Sequence, residues 1–147
     1  MRTIYTIGHT KKSLEHFIGL LRDAGVDGVI DIRLRNTSQL TGFAKRDDLA
    51  FLLREGFGMA YEHRPELAPT PEILDSYKDD GDWSAYERDF LHLLAERGAT
   101  AIGREILARY RHPCLLCAEP VADYCHRRLV AEWWAEELAD VEVSHLG

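Results

Sequence analysis

Residues 113–118 read Pro-Cys-Leu-Leu-Cys-Ala (PCLLCA). An unbroken apolar run of this length has no solvent-facing alternate positions. It therefore predicts a strand over Pro113–Ala118 buried on both faces, at the centre of a sheet covered on both sides. Pro113 also ends the helical pattern before it. Upstream lie two helical stretches, around Trp83–Arg97 and Thr100–Tyr110, and a helix start at Thr70-Pro71: a capping hydroxyl, then a residue with no N–H to leave unpaired. Downstream, Asp123 is placed to cap a long helix with Leu129, Val130, Trp133, Trp134 and Leu138 inward, and Val141–His145 reads as a last strand.

The first half repeats the alternation. Thr3–Ile7 is a strand by its β-branched and aromatic content. Ser13 caps a helix with Leu14, Phe17, Ile18 and Leu21 on one stripe, and Gly25 closes it. A strand over Gly28–Arg33 (GVIDIR) follows, then residues 34–43 (LRNTSQLTGF), a polar connection longer than the ~2–6 residues usual in such folds and so a candidate binding loop. Asp47 or Asp48 opens a helix with Leu49, Leu52 and Leu53 on one face, and Met59–His63 is a strand. Strand–helix alternation implies parallel pairing through right-handed crossovers. The expected fold is one α/β domain over residues 1–147, a three-layer α/β/α sandwich around a mostly parallel sheet of about five strands.

With 147 residues the chain is long enough for a core that needs no disulfide or metal staple. A formal charge of −7 argues against sequence-independent binding to nucleic acid, which needs clustered cations. No apolar run approaches the ~20 residues of a membrane span. Three cysteines, an odd number, and an opening that does not read as a signal peptide point to a reduced, cytoplasmic setting.

Ligands of parallel sheets bind beyond the carboxyl ends of the strands. That edge is expected to gather His9, Asp31, Arg33, Tyr61, His63, Cys117, Glu119, Tyr124, Cys125, His126, Arg127 and His145, including four of the seven histidines. Cys125, in the first turn of a helix beginning at Asp123, is a candidate thiolate beside basic neighbours. Cys114 and Cys117 are three apart on a strand, so their thiols diverge, and only Cys117 is expected to reach the site. Asp31 and Arg33 share a strand face, either as a structural ion pair or as a clamp for an anion, with Thr37 and Ser38 as further donors. Trp83 and Tyr86 fit core packing, whereas a Trp134 left exposed would offer a homodimer contact.

Three functions follow, in order of preference. The first is a mononuclear metal site, iron or zinc, drawn from His9, Tyr61, His63, Cys125 and His126. The second is a metal-free thiol enzyme acting on a small anionic substrate. Cys125 or Cys117 would be its nucleophile, His126 or Glu119 its proton carrier, and Arg33 with Arg127 its clamp. The third is a non-catalytic module for a nucleotide or a nucleic-acid end, drawing on Arg33, Arg35, Lys45 and Arg46.

The segments IYTIGHT, DIRLRNTSQLTGF, YEHRPELAPT, LLCAE, CHRR and VEVSHL, in this order over nearly the whole chain, resemble the domain of unknown function 488 family. The resemblance implies a compact α/β cytosolic protein of bacteria or archaea. It puts His9, Asp31, Arg33, Ser38, Phe43, Tyr61, Leu67, Cys117, Glu119, Cys125, His126, Arg127 and His145 on motif positions. Thr10 stands where Ser is usual, Asn36 and Gln39 where Pro and Arg are, and Ala68-Pro69 replaces a Gly-rich turn.

Overall fold

The structure, a computed structural model, describes residues 1–147. Five strands, β1 (Arg2–Gly8), β2 (Gly28–Asp31), β3 (Ala60–His63), β4 (Pro113–Cys117) and β5 (Val141–His145), form one sheet in the order β3-β2-β4-β1-β5. Every pairing is parallel. Six α-helices flank it: α1 (Leu14–Asp23), α2 (Arg46–Phe51), α3 (Pro71–Asp80), α4 (Trp83–Glu96), α5 (Ala99–Arg109) and α6 (His126–Glu137). The expected sandwich is present, and the sheet is parallel throughout.

The apolar run holds the centre: all five residues of β4 are buried, and β4 pairs with both β1 and β2. The chain steps one way through β1, β2 and β3, then returns through β4 and β5. With crossovers of one hand, reversing direction moves the helices to the opposite face. One layer accordingly packs Phe17, Ile18, Leu21 and Leu49 on Ile7, Val29, Cys114 and Leu116. The other packs Phe90, Leu94, Ile106, Val130 and Trp134 on Ile4, Ile30 and Leu115.

Local signals account for most boundaries. Ser13 Oγ accepts from His16 N (3.1 Å), and Thr70 Oγ1 accepts from Ile73 N (3.2 Å) ahead of Pro71. Gly25 takes the left-handed conformation (φ 70°) just past α1. Three expectations change. β2 stops at Asp31 because the Arg33 backbone N–H donates to the Asp31 carboxylate (3.1 Å) instead of to a neighbouring strand. The loop after it contains a 3-10 segment, Gln39–Ala44, capped by Ser38, whose hydroxyl accepts from Leu40 N (3.1 Å). The last helix begins at His126, with Cys125 in the capping position and Asp123 exposed, because residues 122–125 are spent on a turn closed by Cys125 N donating to Ala122 O (3.1 Å).

Trp134 is not an exposed dimer contact. It is fully buried, donates its indole N–H to Ala99 O (2.8 Å), and lies over Gly103, where a Cβ would come within 2.6 Å of its Nε1. Its place on the inner stripe of α6 outweighs any surface role, since exposing so large an apolar ring is unfavourable by about 2–3 kcal/mol. No helix is long and apolar enough to cross a membrane.

Candidate functional site

Beyond Asp31 the chain turns toward the α2 layer, and beyond Cys117 it turns toward α6 on the other face. Adjacent strands whose continuations part in this way leave a crevice at the carboxyl edge. A cavity of about 240 Å3 lies there, with Arg33, Leu34 and Arg35 from the loop after β2 and Cys117, Ala118 and Glu119 from the end of β4. Tyr124, Cys125 and His126 come from the entry to α6, and Leu74, Tyr77, Lys78, Trp83 and Tyr86 from α3 and α4.

The loop after β4 is pinned to β1. His9 N donates to Cys117 O (3.2 Å) and Thr10 N to Ala118 O (3.1 Å). The approach is so close that a Cβ on Gly8 would fall 1.6 Å from Glu119 O, so only glycine fits. This holds Cys117 at the crevice while the turn at 122–125 folds Cys125 and His126 back onto it. The two sulfurs and an imidazole nitrogen lie within 4.8 Å of one another, with all three residues buried.

The His126 ring is oriented by its backbone partner. Nε2 lies 2.6 Å from Ile32 O. A carbonyl only accepts, so Nε2 carries the hydrogen and Nδ1 presents its lone pair. Nδ1 is 3.5 Å from Cys117 Sγ. Nitrogen and sulfur ligands of a tetrahedral zinc, at about 2.0 and 2.3 Å from the ion, stand about 3.5 Å apart, so this edge already has ligand spacing. An imidazole whose second N–H is held by a backbone carbonyl is also how metal-binding histidines are oriented.

The two thiols are not equivalent. Cys117 is held below the ordinary thiol value by the hydrogen bond from Cys125, against burial, with help from the backbone N–H groups of Ala118 and Glu119 and the Arg127 charge. Cys125 is pushed well up, by burial first and then by Cys117. Of the two candidate thiols, Cys117 is thus the more readily ionised.

A second polar knot occupies the end of β2. Asp31 accepts from Arg33 Nε (2.8 Å) and Nη2 (2.7 Å), from Asn36 Nδ2 (3.1 Å) and from the Tyr61 hydroxyl. Arg33 Nη1 donates to Ala44 O (2.8 Å). Burial pushes the Asp31 carboxyl up, but the Arg33 hydrogen bonds and charge, with Tyr61, outweigh it and hold it below the usual carboxylate range. Tyr61 is pushed up by burial and then by Asp31, so it stays a phenol.

This disposition separates the expected ligand set. Cys117, Cys125 and His126 come together. Tyr61 and His63 do not join them, because β3 pairs only with β2 and its side chains reach no further than the end of that strand. The His63 Nε2 lies 3.1 Å from Arg33 O. His9 is a buried imidazole lowered to about 4, by burial first and then by Arg33, and its Nε2 has no partner in the chain. His145, on edge strand β5, shares a hydrogen bond with Thr6 Oγ1 (2.6 Å). Arg33 is committed to Asp31 and is not an open anion clamp, and Ser38, whose hydroxyl accepts from Leu40 N, is not among the residues around the cavity. Arg127, 1% exposed, donates to Thr6 Oγ1 (2.5 Å) and Glu119 O (3.2 Å) behind the thiols. Tyr124, 64% exposed, packs edge-on against Trp83 at the cavity mouth. Glu119 is also at the mouth, exposed.

Trp83 and Tyr86, read as core from their spacing, are also cavity wall. Tyr86 is 5% exposed, its hydroxyl makes no hydrogen bond within the protein, and burial first, then the neighbouring Cys117 and Cys125, push it up, so it stays a phenol. Helical spacing identifies the buried face of α4. It does not say that the end of that face overhangs a crevice.

Fold and site together define a parallel α/β protein with a buried thiol–imidazole cluster opening into an aromatic-walled cavity at the carboxyl edge of its sheet. A family model described as Domain of unknown function DUF488 matches residues 13–134, and the chain belongs to that family. No curated protein and no solved structure matches the chain.

Proposed function

We propose that the protein is a mononuclear metal protein whose ion is held by Cys117, Cys125 and His126 Nδ1, with zinc or ferrous iron as the occupant. The observation that carries this reading is the Nδ1–Sγ separation of 3.5 Å, with the ring fixed by Ile32 O. Two thiolates and an imidazole suit soft-to-borderline ions. The phenol-containing set suited to ferric iron is not gathered, because Tyr61 serves Asp31. An ion held by these three side chains at the edge of the cavity would supply Lewis-acid chemistry there. Arg127, buried behind the thiols with no acidic partner, offsets their charge. Glu119, exposed at the mouth, is placed to hold or move a proton.

The test is elemental analysis of the full chain, purified after growth with both metals supplied. One ion per chain is expected, lost in Cys117→Ser and in His126→Ala variants that keep a native circular dichroism spectrum. Substoichiometric metal in a folded wild-type protein, with no uptake on adding zinc or ferrous iron, overturns the reading.

A metal-free thiol site is the second reading, favoured by the lone pair that His126 turns toward Cys117. It requires Cys117 to be alkylated by iodoacetamide at pH 6 faster than a free thiol, at an undiminished rate after chelation. The acidic partners of Arg35 (Asp75) and Arg46 (Asp47) weigh against the nucleic-acid module, as does the burial of Arg33 on Asp31.

A further inference from the structure

The Tyr86 hydroxyl is the starting point. The Tyr86 side chain is nineteen-twentieths buried and lines the cavity beside Cys117 and Cys125, and its hydroxyl has no partner within the protein. A phenol O–H with no protein acceptor, on a side chain that lines a cavity, is free to donate to a ligand acceptor there. Around it the walls are flat. Trp83 and Tyr86 are stacked, with ring centres 4.9 Å apart and planes at 17°. Tyr77 and Tyr124 meet Trp83 edge-on, each at 5.6 Å. Aromatic surfaces so arranged favour a planar ring through offset and edge contacts.

The electrostatics specify the ring's substituent. Helix α6 starts among the residues around the cavity with no side-chain cap, and the positive end of its dipole favours an anion nearby. Lys78 and Arg35 stand at the rim; Lys78 makes no ion pair, and Arg35 shares Asp75. Glu119 is the one acidic residue in the lining, and it is exposed. At about 240 Å3 the space is below the ~300–1,000 Å3 of pockets for drug-sized ligands, which fits one ring and a short substituent, not a nucleotide.

We infer that the cavity is the substrate site of the proposed metal centre and takes a small planar aromatic carboxylate, its ring against Trp83 and its carboxylate accepting from Tyr86 and facing the start of α6. Tyr86 is thus both wall and hydrogen-bond donor. The inference deepens the metal reading, and rests on it for calling the ligand a substrate.

Titration calorimetry of the full chain with benzoate tests it, in chelated and zinc-loaded forms. Acetate (no ring), cyclohexanecarboxylate (no plane) and benzyl alcohol (no charge) are the comparators. Benzoate is expected to bind one per chain, about tenfold or more tighter than each comparator, and Tyr86→Phe to weaken it about tenfold by removing one hydrogen bond to a charged group. Lys78→Glu, on the exposed rim, is expected to weaken it about threefold, with the difference shrinking as salt rises.

Equal affinity for benzoate and its comparators overturns the inference, as does unchanged affinity in a folded Tyr86→Phe protein. If Tyr86→Phe does not fold, the Lys78→Glu result decides in the same way. Metal content is measured on the same samples. Selective benzoate binding without metal overturns only the metal reading; stoichiometric metal without benzoate selectivity overturns only the substrate assignment.

Discussion

The carboxyl ends of β2 and β4 are neighbours on one sheet edge, and both carry the residue types from which active sites are made. At β2, the Asp31 carboxylate and the Arg33 guanidinium meet one another, and Asn36, Tyr61 and Ala44 O take up the rest of their capacity. At β4, two thiols and an imidazole lone pair face one another with no acidic or basic side chain bonded to them, the Arg127 charge standing behind, and Tyr86 adds an idle hydroxyl. The first group spends its polarity on the fold. The second keeps it available. Residue chemistry is therefore a poor guide to function at this edge, and hydrogen-bond satisfaction a better one.

The largest effect that would break this contrast is at Asp31. Asp31→Ala leaves a buried guanidinium unpaired and should lower unfolding free energy by about 3–5 kcal/mol in urea titration. A loss under about 1 kcal/mol would mean that the knot is not structural. Its pH dependence has a definite sign. Asp31 titrates lower in the folded chain than in the unfolded one, so its contribution is present above the ordinary carboxylate range. That contribution is lost as pH falls through the depressed folded value. The acid limb of a stability–pH curve should flatten in Asp31→Asn.

At β4 the expected dependence is on metal, not on acid. Zinc at one hundred times its dissociation constant should stabilise the wild type by about 2.7 kcal/mol and leave Cys117→Ser unmoved, read as a shift in thermal midpoint. Equal shifts in both proteins would place the ion elsewhere. Between the two regions stands Tyr61→Phe, which removes a hydrogen bond to a charged carboxylate. It should cost about 1.5–3 kcal/mol of stability while metal content stays the same. A drop in bound metal would put Tyr61 back among the ligands. Smallest is Arg35→Ala: the pair with Asp75 is about half exposed on both sides, so thermal and urea midpoints should move by less than about 0.5 kcal/mol.

Much of the site was legible, and the failures are specific. Cys117, Cys125 and His126 were all placed at the edge from strand ends and helix starts. The one change here is the cap: the turn at 122–125 delays the helix start to His126 and puts Cys125, not Asp123, in the capping position. Asn36 was visible only as a departure from the family's usual residue. In the fold it is a buried donor to Asp31. Tyr86 gave no signal beyond its apolar spacing, since a hydroxyl without a partner is a property of its surroundings.

The amino-acid order by itself determined the five strands, the central place of 113–117, the layered parallel architecture, and the edge at which chemistry collects. These follow from apolar periodicity, caps and crossover handedness, all of which act over a few residues or apply to every chain of this kind. Only the tertiary structure decided the strand order, and with it that Tyr61 and His63 end beside Asp31 and Arg33 and not beside the thiols. It also decided which polar groups are left unmatched. Both depend on pairings between segments up to a hundred residues apart in the chain, such as Ile32 with His126, and no local pattern encodes those.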